Sequence, residues 1–129
     1  MRILLDTHIW LWMVASPDRL RAAARSDLAD RKNELYLSAA SSWEIAIKYR
    51  LGRLALPEPP EAFVPQRLPR DGVLPLPVDH HHALRVATLP DHHNDPFDRL
   101  LIAQALAENL VLYTADELLL RYPAQCILA

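Results

Sequence analysis

The stretch DPFDRLLIAQALAENLVLYTAD, Asp95 to Asp116, contains the change of period that decides the fold. From Asp98, Ile102 and Ala105 recur at intervals of four and three, which places them on one side of a helix. Asn109 closes that helix, and LVLYT then reads as a strand ending at Thr114 to Asp116. A helix followed at once by an apolar strand is the unit from which α/β folds are built. The acids at its start have ordinary structural work available. Asp95 suits the N-cap, Pro96 the first helical position, and Asp98 completes a capping box. Arg99 stands one turn after Asp95 and can neutralise it, whereas Asp98 tops the apolar stripe.

The same alternation extends outward in both directions. RILL, from Arg2 to about Leu5, is a buried strand with Asp6 at its C-terminal end, and a short helix follows around Ile9 to Val14. Ser16 and Pro17 predict the N-cap and first residue of a helix running to about Arg31. ELYLSAAS is the second strand and SSWEIAIKYRLG a helix closed by Gly52, where a left-handed residue is wanted. Five prolines between Pro57 and Pro69 mark a stiff connection with room for a helix. VLPLPV reads as a third strand whose proline puts it near an edge. DHHHALRVATL is a helix capped by Asp79, DELLLRY a helical turn or two, and QCILA a terminal strand. The pattern predicts an α/β sandwich with a mainly parallel sheet, organised as one domain over residues 1–129.

Bulk composition restricts the partners. The formal charge of −2 and the pI of 6.3 exert no global pull on nucleic acid or anionic lipid, so any contact with a polyanion must come from local clusters. The lone Cys126, expected to be buried in the last strand, excludes an intrachain disulfide framework and fits a reducing compartment. The apolar N-terminal run is interrupted by Asp6 and His8 and is too short to span a bilayer. No membrane association is expected, and the reading is of a cytoplasmic protein.

In a mainly parallel sheet ligands bind outside the carboxyl ends of the strands. Asp6 and Asp116 fall there, and Glu44 and Asp98 lie early in helices that begin at the same rim. Each has an ordinary explanation. Asp6 can cap a helix, Glu44 can close a capping box with Ser41 and pair with Lys48 four residues on, and Asp116 can start the DELLLRY helix. Together they mean more. Acids gathered at one rim repel unless cations bind, and hard oxygen donors select Mg²⁺ or Mn²⁺. Such a site suits phosphodiester hydrolysis.

ILLDTHIWLW, SAASSWEIAIKYRLGRL and DPFDRLLIAQALAENLVLYTAD together resemble the PIN-domain ribonucleases, specifically the VapC toxin branch of bacterial toxin–antitoxin pairs. The resemblance covers essentially the whole chain. It implies a PIN-like three-layer sandwich and a Mg²⁺- or Mn²⁺-dependent endoribonuclease that cleaves a structured RNA, a tRNA or rRNA loop, and is held inactive by a VapB-like antitoxin. The family's acids fall on Asp6, Glu44, Asp98 and Asp116, with Asp6, Asp98 and Asp116 as metal ligands. Thr114 matches the supporting hydroxyl, and Thr7 adjoins the first acid. Asp95 is the second candidate for the third acid. Asp98 is preferred, because it aligns with the helix and has no obvious cationic partner.

Other readings are weaker. Six histidines invite a zinc site, but neighbours on a helix point about 100° apart and no H-E-x-x-H pattern occurs, so most are expected at the surface. A receiver-like signalling domain shares the length, the α/β alternation and an acidic Mg²⁺ pocket. It would need paired acids after the first strand and a lysine after the last, and neither is present. A binding module with degenerate acids is the other alternative. Trp10 and Trp12 point in nearly opposite directions on a helix, and whichever is exposed suits a homodimer or antitoxin interface.

Overall fold

The computed structural model describes all 129 residues. Five strands form one sheet in the order β3-β2-β1-β4-β5: β1 (Arg2–Leu5), β2 (Glu34–Ser38), β3 (Val73–Leu76), β4 (Val111–Thr114) and β5 (Cys126–Leu128). Every pairing is parallel, with Ile3 opposite Leu35 on one side and Val111 on the other. The chain leaves β1 toward β2 and β3, then returns to the far side of β1 for β4. The order therefore reverses between β1 and β4, and a crevice opens beyond their carboxyl ends.

Alternating strand residues feed two cores. Ile3, Leu5, Leu35, Leu37 and Tyr113 point to one face, where they meet Ile9 and Trp10 of α1 (Thr7–Ala15), Ala24 and Leu28 of α2 (Ala22–Ala29), Ile45 of α3 (Ala39–Arg50) and Phe63 and Val64 of α4 (Pro60–Arg70). Leu4 and Leu112 point to the other face, against Leu101, Ile102 and Ala105 of α6 (Pro96–Glu108). The short α5 (His80–Arg85) packs beside α6. This is the three-layer α/β/α sandwich expected from the sequence. No helix is long and apolar enough to cross a membrane.

Several boundaries differ from the sequence reading, for local reasons. The helix expected from Ser16 to Arg31 is split into a 3₁₀ turn at Pro17–Arg19 and α2, because Leu20 turns inward to the core and the Arg21 amide donates to the Ala129 carbonyl at 2.8 Å. The second strand stops at Ser38, whose hydroxyl accepts from the Ala40 amide and caps α3. The proline-rich connection folds as α4, with Pro60 in its first turn and buried Phe63 and Val64 holding it to the core despite Pro65 and Pro69. The helix expected over DHHHALRVATL ends at Arg85 and tightens to a 3₁₀ turn at Val86–Thr88. Cys126 is half-buried rather than buried, and burial pushes its thiol up to about 11. The exposed indole is Trp43 of α3, 62% exposed and edge-on to Phe97, while Trp10 is fully buried and Trp12 partly so.

Asn109 carries the turn from α6 into β4 at φ 57° and ψ 48°, the left-handed conformation its short polar side chain tolerates. Asn109→Gly should keep the parent melting temperature, whereas Asn109→Val should destabilise by roughly 1–2 kcal/mol. Denaturant melts of both check this. A Val variant as stable as the parent would show that the left-handed cap is not required.

Candidate active site

The fold brings all four sequence-selected acids to the crevice at the strand reversal. Asp6 leaves the end of β1, Asp116 follows β4, Glu44 points in from α3, and Asp98 sits in the first turn of α6. With Asp95 and Glu117 they line a cavity of about 530 Å³ that also holds His8, Trp12, Lys48 and His93.

Each acid is held differently. Asp6 occupies the N-cap position of α1, but its side chain makes no capping bond; its Oδ2 instead accepts from the Thr114 hydroxyl at 2.7 Å. Thr114 in turn accepts from the Asp116 amide at 3.1 Å, so the ends of β1 and β4 are tied through one oxygen. Glu44 is buried inside α3, six residues beyond the Ser38 cap, and closes no capping box with Ser41. Its Oε1 accepts from the Thr7 hydroxyl at 2.7 Å and its Oε2 from the Lys48 ammonium at 2.6 Å. Thr7 and Ser41 oxygens lie 2.8 Å apart. Since the single Thr7 proton goes to the carboxylate, the Ser41 hydroxyl supplies the other bond.

The two acids of the opening stretch divide their work. Asp95 caps α6, its Oδ1 accepting from the Phe97 and Asp98 amides at 2.8 and 3.3 Å. Arg99 does not neutralise it; the guanidinium turns away to the carbonyls of Pro90 and Val86 and the Tyr122 hydroxyl. Asp98 receives no amide or hydroxyl. Burial, reinforced by the charges of Asp6, Asp95, Glu44 and Asp116, pushes its carboxyl up to about 8. Burial likewise raises Asp6, against the opposing Thr114 hydrogen bond.

One cleft residue escaped the sequence reading. His93, grouped there with surface histidines, has its Nε2 2.8 Å from Asp116 Oδ2 and 3.3 Å from Asp98 Oδ2. It is a neighbour of Asp98, but not the cationic partner that Asp98 was expected to lack, because its Nδ1 accepts a hydrogen bond. The Asp95 amide donates to His93 Nδ1 at 3.0 Å, so Nδ1 is the acceptor and the proton sits on Nε2, facing the carboxylates. The available signal was its place two residues before a capping aspartate, where a side-chain nitrogen can meet the Asp95 amide. Asp116 is thus fixed at both oxygens, since Oδ1 accepts from the Leu118 amide at 3.0 Å.

His82 also leaves the surface class, being only 1% exposed. Its Nδ1 accepts from the Asp79 amide at 3.0 Å and its Nε2 lies 2.7 Å from Glu108 Oε1. Asp79, His81 and His82 have ligand atoms within 4.8 Å of one another, but ligation through His82 Nε2 would require its proton to move onto an Nδ1 already facing an N–H. The cluster is a helix cap, not a metal centre.

A family model for the PIN domain matches residues 3–125. Ribonuclease VapC22 of Mycobacterium tuberculosis is 32% identical over 117 residues, covering 88% of this chain and 86% of that protein. Ribonuclease VapC16 of the same organism is 55% identical over 58 residues, 45% of this chain and only 41% of that protein. Among solved structures, VapBC2 from Rickettsia felis bound to a promoter DNA fragment superposes with a TM-score of 0.73 at 17% identity over 98% of both chains. VapBC-1 from nontypeable Haemophilus influenzae gives 0.65 at 21% identity, over 98% of this chain and 97% of that one. These structures share the fold. The match that runs from β1 to the threshold of β5, together with a relative of nearly the same span, makes this chain a member of the PIN-domain family, on its VapC branch.

Proposed function

We propose that the chain acts as a single PIN domain, a Mg²⁺- or Mn²⁺-dependent endoribonuclease serving as the toxin of a toxin–antitoxin pair. The observation that carries this reading is the convergence of Asp6, Glu44, Asp98 and Asp116 at the strand reversal, with Asp98 pushed up to about 8 by burial and like charge. Carboxylates about 4 Å apart at an effective dielectric near 20 repel by roughly 4 kcal/mol, which an ion bound among them relieves. The carboxylate donors are hard oxygens, which fits Mg²⁺ or Mn²⁺ rather than a thiophilic metal. The nitrogen that lies within 4.8 Å of the Asp98 and Asp116 oxygens, His93 Nε2, carries its proton while Nδ1 accepts from the Asp95 amide.

Asp6, Asp98 and Asp116 would hold the ion. When bound, a divalent cation supplies an activated water and neutralises charge growing on the phosphoryl oxygens. Glu44, with both oxygens already engaged by Thr7 and Lys48, orients the site rather than ligating directly. Thr114 fixes Asp6, and His93 Nε2–H fixes Asp116 as a positioning residue. The ribonuclease names of the curated relatives support the RNA-cleaving activity. The VapBC assemblies among the structural neighbours support a VapB-like antitoxin as partner; on the present reading it covers the acidic rim. The exposed Trp43 beside Phe97 offers the apolar contact expected of a homodimer or of that partner. The substrate class is a structured RNA, cut in a tRNA or rRNA loop, where unpaired bases are legible.

Asp6→Asn, Glu44→Gln and Asp98→Asn should each abolish Mn²⁺-dependent RNA cleavage, with Asp95→Asn milder because its Oδ1 still caps α6. Sequencing the RNA ends made on controlled expression reads activity and substrate together, and the same digest with the antitoxin complex should give none. A dead Asp95→Asn beside an active Asp98→Asn would reverse the assignment of the third acid.

Electrostatics gives a second test. Asp98 binds its proton more tightly folded than unfolded, so the metal-free protein should lose stability as pH rises from about 4 to about 8. Asp98→Asn removes that charge. In chelator it should melt above the parent at neutral pH, by a gap that widens up to about pH 8, closes toward pH 4 and narrows when Mn²⁺ stabilises the parent. Thermal melts decide, and a metal-insensitive destabilisation by Asp98→Asn would return Asp98 to helix capping.

His93 is separable from the ligands. His93→Ala should weaken Mn²⁺ binding by roughly 10–100-fold, the usual effect of losing a group that orients a ligand. His93→Gln, which keeps a donor, should restore part of it. Mn²⁺ titrations followed by electron paramagnetic resonance measure this directly, and unchanged affinity in His93→Ala would remove the positioning role.

A further inference from the structure

Charge is sharply sorted around the cleft. The acidic cavity is lined by six carboxylates and one lysine. A second cavity, of about 610 Å³, is lined by Arg19, Lys48, Arg53, Arg67 and Arg70 with no carboxylate at all, and half of its lining is apolar. The two cavities share His8, Trp12 and Lys48, so they are compartments of one continuous groove. This on a chain of net charge −2 is the local cluster that a polyanion would need.

The five cations are not equivalent. Lys48 is spent on Glu44, Arg67 on Glu58 and Arg70 on Asp71. Arg19 makes no ion pair and lies over the Trp12 ring at 4.6 Å, where the indole face orients the guanidinium. Arg53, just after the left-handed Gly52, is exposed and makes no side-chain hydrogen bond or ion pair. Two uncommitted guanidinium groups, a planar forked donor geometry that matches phosphate, thus stand beside an apolar wall that includes Leu54 and Leu56.

We infer that this second cavity is a nucleotide subsite for single-stranded RNA. An unpaired nucleotide flanking the cleaved bond lays its base on the wall of Leu54 and Leu56, and Arg19 and Arg53 take the adjoining phosphates. The inference rests on the ribonuclease reading above. It deepens that reading by saying which side of the acids the strand occupies. Selection of an unpaired nucleotide follows from the groove itself, because a base still stacked in a duplex cannot enter a lateral cavity.

The test uses a fluorescein-labelled, mixed-sequence single-stranded oligoribonucleotide, with anisotropy followed across a KCl series in Mg²⁺ and in the Asp98→Asn background. Arg19→Gln/Arg53→Gln should weaken binding by about tenfold and flatten the salt dependence by about 1.4, near 0.7 for each phosphate contact to a single strand. Arg31→Gln/Arg85→Gln, the same charge change at exposed positions outside both cavities, should leave the slope alone. Because Arg19 touches Trp12, Arg53→Gln alone supplies a variant that breaks no internal contact, and it should show about half the slope change. Unchanged affinity and slope in the Arg19/Arg53 variant overturn the subsite, while metal-dependent cleavage by the parent still upholds the ribonuclease reading. Retained RNA binding with lost binding of an antitoxin peptide would assign the cavity to a protein segment instead and equally overturn it. A parent that neither binds nor cleaves RNA ends both.

Discussion

The repulsion among carboxylates in one half-buried crevice is the constraint around which this molecule is arranged. Left in contact with only apolar walls, such a group would swell the cleft or take up protons until the charges were gone. The structure answers with a shell of donors of graded strength. Glu44 has an ammonium and a hydroxyl, Asp116 an amide and an imidazole N–H, and Asp6 a hydroxyl. Asp98 has the least support, and its proton affinity is raised to about 8, while burial also raises Asp6 against its one hydroxyl. Frustration is therefore concentrated on two of the four carboxyls, Asp98 and Asp6, instead of being spread evenly.

That concentration depends on the topology. Only the strand order's reversal between β1 and β4 leaves a crevice open at the carboxyl ends, and the residues on either side, Asp6 and Thr114, are fixed by the register that sets Leu5 beside Tyr113. A slip of one residue would turn the Thr114 hydroxyl to the opposite face and leave Asp6 with no donor. The core and the site thus constrain each other: the apolar alternation that buries Leu4 and Leu112 on one face, and Ile3, Leu5 and Tyr113 on the other, is what aims the polar ends of the same strands.

The layers and the acids were legible in the sequence because each rests on periodicity. The shift from helical spacing through Ile102 and Ala105 to the run Leu110–Tyr113 fixes two elements, and the positions of Asp6 and Asp116 follow from where apolar strands stop. What remained hidden depends on pairs distant along the chain. Nothing near Leu20 announces that the Ala129 carbonyl will receive the Arg21 amide and break a helix. Glu44 and Ser41 have capping-box spacing, yet the cap lies at Ser38, and the burial of Glu44 comes from Thr7, 37 positions away. His93 and His82 resemble their exposed neighbours in every local respect. Only the backbone amides of Asp95 and Asp79, and carboxylates contributed by other parts of the chain, distinguish them.

The two borders of the sheet bear on how copies of this molecule can meet. A parallel sheet whose outermost strands are bare offers rows of unpaired donors and acceptors to any extended segment nearby. Here one border is β3, hydrogen-bonded on a single side, and Pro75 at its middle lacks a donor altogether. The opposite border, β5, is three residues long. Leu74 and Ile127 on these borders are 44% and 40% exposed, so their apolar character alone would invite strand addition. The missing amide and the short length work against that, which leaves side-chain surfaces such as the one around Trp43, and not a continued ladder, as the means by which the fold can recognise another polypeptide without polymerising.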